Sequence, residues 1–110
     1  MNKIILIIML ILATATNALS AAWITINNPT SCMEYYDENT GNEGLYFCQS
    51  SISNPFGCQY NWIQISDLDM AKIAASFAFA ADNNGSAISI YVTGCSAAGN
   101  IVGDIVKYGN

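Results

Sequence analysis

The chain has no histidine, and along its 110 residues no arginine occurs, so its whole basic complement is three lysines. Without histidine, the commonest general base and the Ser-His-Asp triad are excluded, along with most imidazole-based metal sites. Without arginine there is no bidentate clamp for phosphate or carboxylate. Eight acids outnumber the lysines. A nucleic-acid backbone or an anionic membrane surface is therefore a poor partner. Charge of either sign is scarce at 10% of residues, whereas 53% are hydrophobic. That balance suits a protein that buries much of its surface, including against copies of itself. Proline occurs only twice, as Pro29 and Pro55.

Only one long hydrophobic run exists, from Ile4 to Ala13. It follows Met1-Asn2-Lys3 and precedes the small residues Ser20-Ala21-Ala22, the layout of a secretory signal peptide. The run is too short to cross a bilayer, which takes about 20 apolar residues. Residues 1–21 read as the signal and 22–110 as one domain, secreted or periplasmic, with no membrane span in the mature chain. Losing Lys3 leaves Lys72 and Lys107 against all eight acids. A domain of this size buries only roughly 60–65% of its unfolded surface. Such domains need staples or partners.

The staples are Cys32, Cys48, Cys58 and Cys95. An even count in a short exported chain reads as a disulfide framework, with three pairings open. The favoured scheme joins Cys48 to Cys58 across a short loop and Cys32 to Cys95 across a long one. A four-cysteine zinc site would need C-x-x-C pairs, which are missing. Neither a metal nor a cofactor is expected.

Trp23 to Ile26 alternates and reads as a strand ended by Asn27-Asn28-Pro29. Cys32 to Tyr36 is a second short strand, and Asp37 to Gly44 a polar loop. Leu45 to Gln49 and Cys58 to Ile65 flank the turn Ser53-Asn54-Pro55-Phe56-Gly57 and form a hairpin. A helix follows over about 66–83, with Ser66 as N-cap and Gly85 as the left-handed stop. Ala87 to Thr93 alternates cleanly. Ile101 to Tyr108 is the last strand, with Gly103 marking a bulge or a close approach. The fold class is α+β, mainly β: a small OB-fold-like barrel or sheet of five to six strands with one central helix.

On the helix, Met70, Ile73, Ala74, Phe77 and Ala81 share a stripe expected to face the core. Asp69, Lys72, Ser76 and Asn83 form a narrow polar stripe. The remaining side carries Leu68, Ala71, Ala75, Ala78 and Phe79, where a monomer's surface helix should be polar. That side is a candidate subunit interface, or simply good helix formers with Phe79 under a loop.

Few residues offer chemistry. Glu34, Asp37, Glu38 and Glu43 are the only clustered acids, and a pair of carboxylates is the minimum for glycoside hydrolysis. Their polar, glycine-containing loop predicts solvated carboxylates, so no catalytic residue is assigned. Asp37, Asn39 and Glu43 alternate oxygen donors, but the glycine is misplaced for an EF-hand loop. Asn84-Gly85-Ser86 is a glycosylation sequon that matters only in a eukaryotic secretory route. Aromatic residues are many: Tyr35, Tyr36, Tyr46, Phe56, Tyr60, Trp62 and Tyr91. Most are expected in the core or against the disulfides. An outward Tyr91 and the loop residues Ser50, Ser51, Asn54 and Phe56 are the candidates for a sugar-binding face.

Tyr46-Phe47-Cys48, then Cys58, Trp62, a helix and Gly85-Ser86-Ala87-Ile88-Ser89-Ile90-Tyr91 resemble the B subunits of AB5 toxins of the subtilase-cytotoxin and typhoid-toxin branch. The resemblance covers about Leu45 to Val92, and Trp23 matches a tryptophan near the mature N-terminus. It implies an OB-fold that assembles as a ring of five, helices lining the centre, and binds cell-surface glycans. The pattern departs at Val92, where that family has a sugar-contacting tyrosine, and in Asn27 to Ser31, where its serine contact has no counterpart. Its C-terminal cysteine pair is absent, while Cys32 and Cys95 are new. The chain is equally similar to small exported bacterial proteins of unassigned function. The expected activity is therefore a non-catalytic binding or assembly module, a glycan-binding B-like subunit in the sharper form. The alternative is a monomeric exported domain that binds a protein.

Overall fold

A computed structural model describes residues 21–37 and 41–110. The signal-peptide reading thus falls outside the described residues, Ala21 excepted, as do Glu38 and Asn39. The chain runs β1 (Ala22–Asn27), a 3-10 turn (Pro29–Cys32), β2 (Met33–Tyr36), β3 (Gly44–Phe47), β4 (Ile63–Ile65), α1 (Leu68–Asn83), β5 (Ala87–Cys95) and β6 (Ile101–Tyr108). The strands form one sheet in the order β1-β5-β6-β4-β3-β2. Neighbours are antiparallel except β4 and β6, which are parallel. A parallel pair needs a crossover connection, and α1 with β5 supplies it. The α+β class, with a single α-helix among the described residues, therefore holds. Of the two arrangements expected, the structure is a six-stranded sheet with β1 and β2 at its ends.

Alternation along each strand decides which face is buried. Ile24 and Ile26 of β1, Leu45 and Phe47 of β3, Ile63 and Ile65 of β4, Ile88, Ile90 and Val92 of β5, and Ile101 and Val106 of β6 all enter one core. Burying one such side chain contributes about 1.5–3 kcal/mol. The helix meets this surface with Ala71, Ala74, Ala78 and Ala81, all at 0% exposure. Methyl groups on the helix let it settle onto the β-branched layer without displacing it.

Of the helix stripe expected to face the core, Ala74 and Ala81 are buried and Met70 and Phe77 pack against the core, but the buried face is turned partly toward the side read as subunit interface. Ala71 and Ala78, read as subunit interface, lie in the core, while Leu68 and Ala75 are half-buried. Phe79 alone of that set is fully exposed, at 58%. Ile73, read as core, is 45% exposed. The sheet already fills the core with isoleucine, and the helix fits by presenting alanines to it. Its N-cap is Asp67, whose side chain accepts from the Asp69 amide, rather than Ser66. Gly85 adopts the expected left-handed conformation, φ 62°. Gly103 is the anticipated close approach: a Cβ there would stand 2.8 Å from Ile63 Cγ2 and 3.0 Å from Ile90 Cγ2.

The disulfides correct the favoured pairing. Cys32 bonds Cys48, with Cα atoms 5.2 Å apart, and Cys58 bonds Cys95, at 5.5 Å. No cysteine is free. The earlier scheme assumed that Cys58 to Ile65 is one long strand opposite Leu45 to Gln49. Only Ile63 to Ile65 pairs there, in register with Phe47 to Leu45. Cys48 instead continues the β2–β3 ladder one step beyond Met33 and Phe47, its amide donating to the Cys32 carbonyl at 3.1 Å. The segment carrying Cys58 folds onto the β5–β6 turn through Tyr60 N–H to Gly99 O at 2.9 Å. Among the described residues no helix is long and apolar enough to cross a membrane.

Candidate functional site

The face of the sheet turned away from α1 carries a cleft of about 460 Å³. Period-two geometry builds one wall: Glu34 and Tyr36 lie on the same face of β2, and Tyr46 of β3 stands opposite Glu34. Tyr36 and Tyr46 meet edge to face, with centroids 5.5 Å apart. The Tyr36 hydroxyl donates to Glu34 Oε2 at 2.7 Å. The Tyr46 hydroxyl donates to the Asn42 carbonyl at 2.8 Å. Burial pushes the Tyr46 phenol above its ordinary value, and the charge of Glu43 adds to the rise.

The other wall is Tyr60 and Trp62, stacked at 5.1 Å with 18° between planes. Both are exposed, at 40% and 45%. An irregular segment holds them, and it is braced on three sides. Asn54 donates through Nδ2 to Cys58 O and Asn61 Oδ1, and accepts from the Cys58 amide. The Trp62 carbonyl accepts from the Ile101 amide at 2.8 Å. The Cys58–Cys95 bond ties the segment to the end of β5. Rings fixed in this way lose little freedom when a ligand stacks on them.

Gln64 and Asn100 carry the buried polar connections behind these rings. Gln64 is 5% exposed; its Nε2 donates to Glu43 O at 2.9 Å and its Oε1 accepts from Asn100 Nδ2 at 3.3 Å. Asn100 lines the cleft, is also 5% exposed, and its Oδ1 has no hydrogen-bond partner.

The residues expected to bind sugar are not brought together. Tyr91 lies opposite Trp23, rings 5.3 Å apart, with Lys107 Nζ 4.6 Å from the Trp23 centroid. Ser50 and Ser51 line a separate, more open groove of about 600 Å³ with Asn27, Asn28, Ser31 and Gln49. That groove is at the far end of β1 from Trp23. Asn54 is committed to the brace described above, and Phe56 packs half-buried against the core. Tyr36, Tyr46, Tyr60 and Trp62 are among the aromatic residues noted in the sequence, most of which are expected in the core or against the disulfides, and none of the four is among the candidates for the sugar face. The i, i+2 spacing of Glu34 with Tyr36 is the signal that this pair shares a face of β2.

Of the clustered acids among the described residues, Glu34, Asp37 and Glu43, only Glu34 enters the cleft. Glu43 Oε2 accepts from the Gly41 amide at 2.8 Å. Among the described residues no group of three or more His, Cys, Asp or Glu side chains is placed to hold a metal. No family model matches this chain, and no curated protein or solved structure matches it.

Proposed function

We propose that this is an exported, non-catalytic binding module whose cleft on the outer sheet face takes a sugar. The stacked, exposed Tyr60–Trp62 pair carries the reading. A pyranose ring presents an apolar face that packs on aromatic rings and a rim of hydroxyls that needs polar partners. Glu34, Tyr36 and Asn100 offer that rim beside the stack. An aromatic contact of this kind contributes about 0.5–1.5 kcal/mol beyond its buried area. The resemblance to toxin B subunits points to the same ligand class by a separate route.

A glycan array followed by titration of the hits tests it. The expected result is binding that Trp62→Ala abolishes and Tyr91→Ala leaves unchanged. A folded protein that binds no glycan, or binding indifferent to Trp62→Ala, overturns the reading.

A second reading is self-assembly, the ring of five that the resemblance implies. It is favoured by the exposed Phe79 and Ile73 on α1 and by the two sheet ends at β1 and β2. Sedimentation of the mature chain decides it: a monomer at micromolar concentration leaves the protein-binding monomer as the alternative.

A further inference from the structure

We propose that the cleft selects its ligand by charge, accepting a glycan that presents a protonated amino group and turning away carboxylated or sulfated ones. This deepens the sugar-binding reading and rests on it. Among the described residues, Glu34 is the only charged one that lines the cleft. A second carboxylate, Glu43, lies close enough to act on the Tyr46 phenol at the cleft floor. Among the described residues no cation opposes them. The chain has neither arginine nor histidine. Lys72 lies on the exposed side of α1, across the sheet from the cleft, and Lys107 is held over the Trp23 ring.

The rings add to the same preference. Tyr36, Tyr46, Tyr60 and Trp62 all line the cleft. An aromatic face is electronegative and attracts an ammonium group, by about as much again as an exposed ion pair. Asn100 Oδ1, shielded and unpartnered, lacks a donor, and one N–H of its amide is held by Gln64 Oε1. The carboxylate, the ring faces and the orphan carbonyl therefore all call for a donor or a positive charge. A carboxylated or sulfated sugar would bring an anion to this acidic face with nothing to neutralise it.

The test uses one pyranose ring in three charge states: glucosamine hydrochloride, glucose and glucuronate. Each is titrated at pH 6 and low ionic strength while the Trp62 indole N–H resonance is followed, assigned by its loss in Trp62→Ala. The expected order is glucosamine about fivefold tighter than glucose, and glucuronate weaker than glucose by a similar factor. Glu34→Gln, which keeps an acceptor for the Tyr36 hydroxyl, should bring glucosamine and glucose within about twofold while glucose still binds. Added salt should do the same to the unmodified protein, since exposed charges are screened. Equal affinity for the three sugars, or tightest binding of glucuronate, overturns the charge selection and leaves the sugar site standing. If none of the three shifts the Trp62 resonance, the sugar-binding reading fails and this inference falls with it.

Discussion

Asp82, in the last turn of α1, accepts two hydrogen bonds from Thr30: one from its amide at 3.2 Å and one from its hydroxyl. The pair fastens the 3-10 turn after β1 to the end of the helix. A carboxylate at a helix C-terminus meets the negative end of the dipole and is unfavourable there. The two donors of Thr30 offset that cost. Thr30→Val removes the hydroxyl while keeping shape, and should destabilise the protein by about 1–3 kcal/mol. Urea unfolding should show a lower midpoint at an unchanged slope.

Peptide mapping without reduction should recover Cys32 joined to Cys48 and Cys58 joined to Cys95. The two bonds span 16 and 37 residues. On the chain-entropy account, removing the pair Cys58 and Cys95 by alanine should cost about 4 kcal/mol and removing Cys32 and Cys48 about 3. A Cys48–Cys58 peptide would show that the hairpin, not the β2–β3 ladder, sets the pairing.

The orientation of α1 gives a paired experiment. Ala78 is fully buried against the sheet, whereas Phe79, its neighbour, is 58% exposed. Ala78→Leu forces extra volume into a filled core and should cost about 1–3 kcal/mol. Phe79→Ser should change the stability of the monomer by no more than about 0.5 kcal/mol. Reversed effects would restore the orientation in which Ala78 faces outward.

Alkaline pH should weaken the fold through Tyr46. Its phenol is raised above the ordinary value of 10.0 in the native protein. The unfolded chain therefore gives up that proton first. The contribution is intact below about pH 10 and is lost as pH rises through the native value. Ultraviolet titration should show a tyrosine ionisation above pH 10 that Tyr46→Phe removes.

Much of the fold is legible in local patterns. The alternation of Ile88, Ile90 and Val92, the stop at Gly85 and the tight packing at Gly103 follow from steric rules that act within a few residues. The helix orientation is not legible this way. Which side of α1 faces inward depends on what the sheet presents, and Ile63, Ile90 and Ile101 come from three strands far apart in sequence. The disulfides fail for the same reason: pairing Cys58 with Cys95 requires knowing that the turn Ser96–Asn100 lies against Tyr60.

The candidate site is half legible. Its aromatic residues stand out by type, but type alone favours burial. What distinguishes Tyr60 and Trp62 from core aromatics is that they lie in the irregular segment between β3 and β4, which is held by Asn54 and by the second disulfide. That is a property of the tertiary bracing, absent from any window of sequence. Tyr91 drew the choice because it alternates outward from Ile90 and Val92. It does turn outward, but toward Trp23 and Lys107 rather than toward a cleft.

The pairing of cysteines also sets an order of events. Each cysteine bonds the next one along the chain, the first with the second and the third with the fourth. Of the three connectivities open to four cysteines, this one alone is built directly by a chain oxidised in order of arrival. A polypeptide threaded N-terminus first into an oxidising space would close Cys32 on Cys48 before Cys58 emerged. It would have no wrong bond to undo, and so would bypass the reshuffling that takes seconds to hours in nested frameworks. In the nested alternative, Cys32 with Cys95, the first two cysteines to arrive, Cys32 and Cys48, would make a bond that has to be undone.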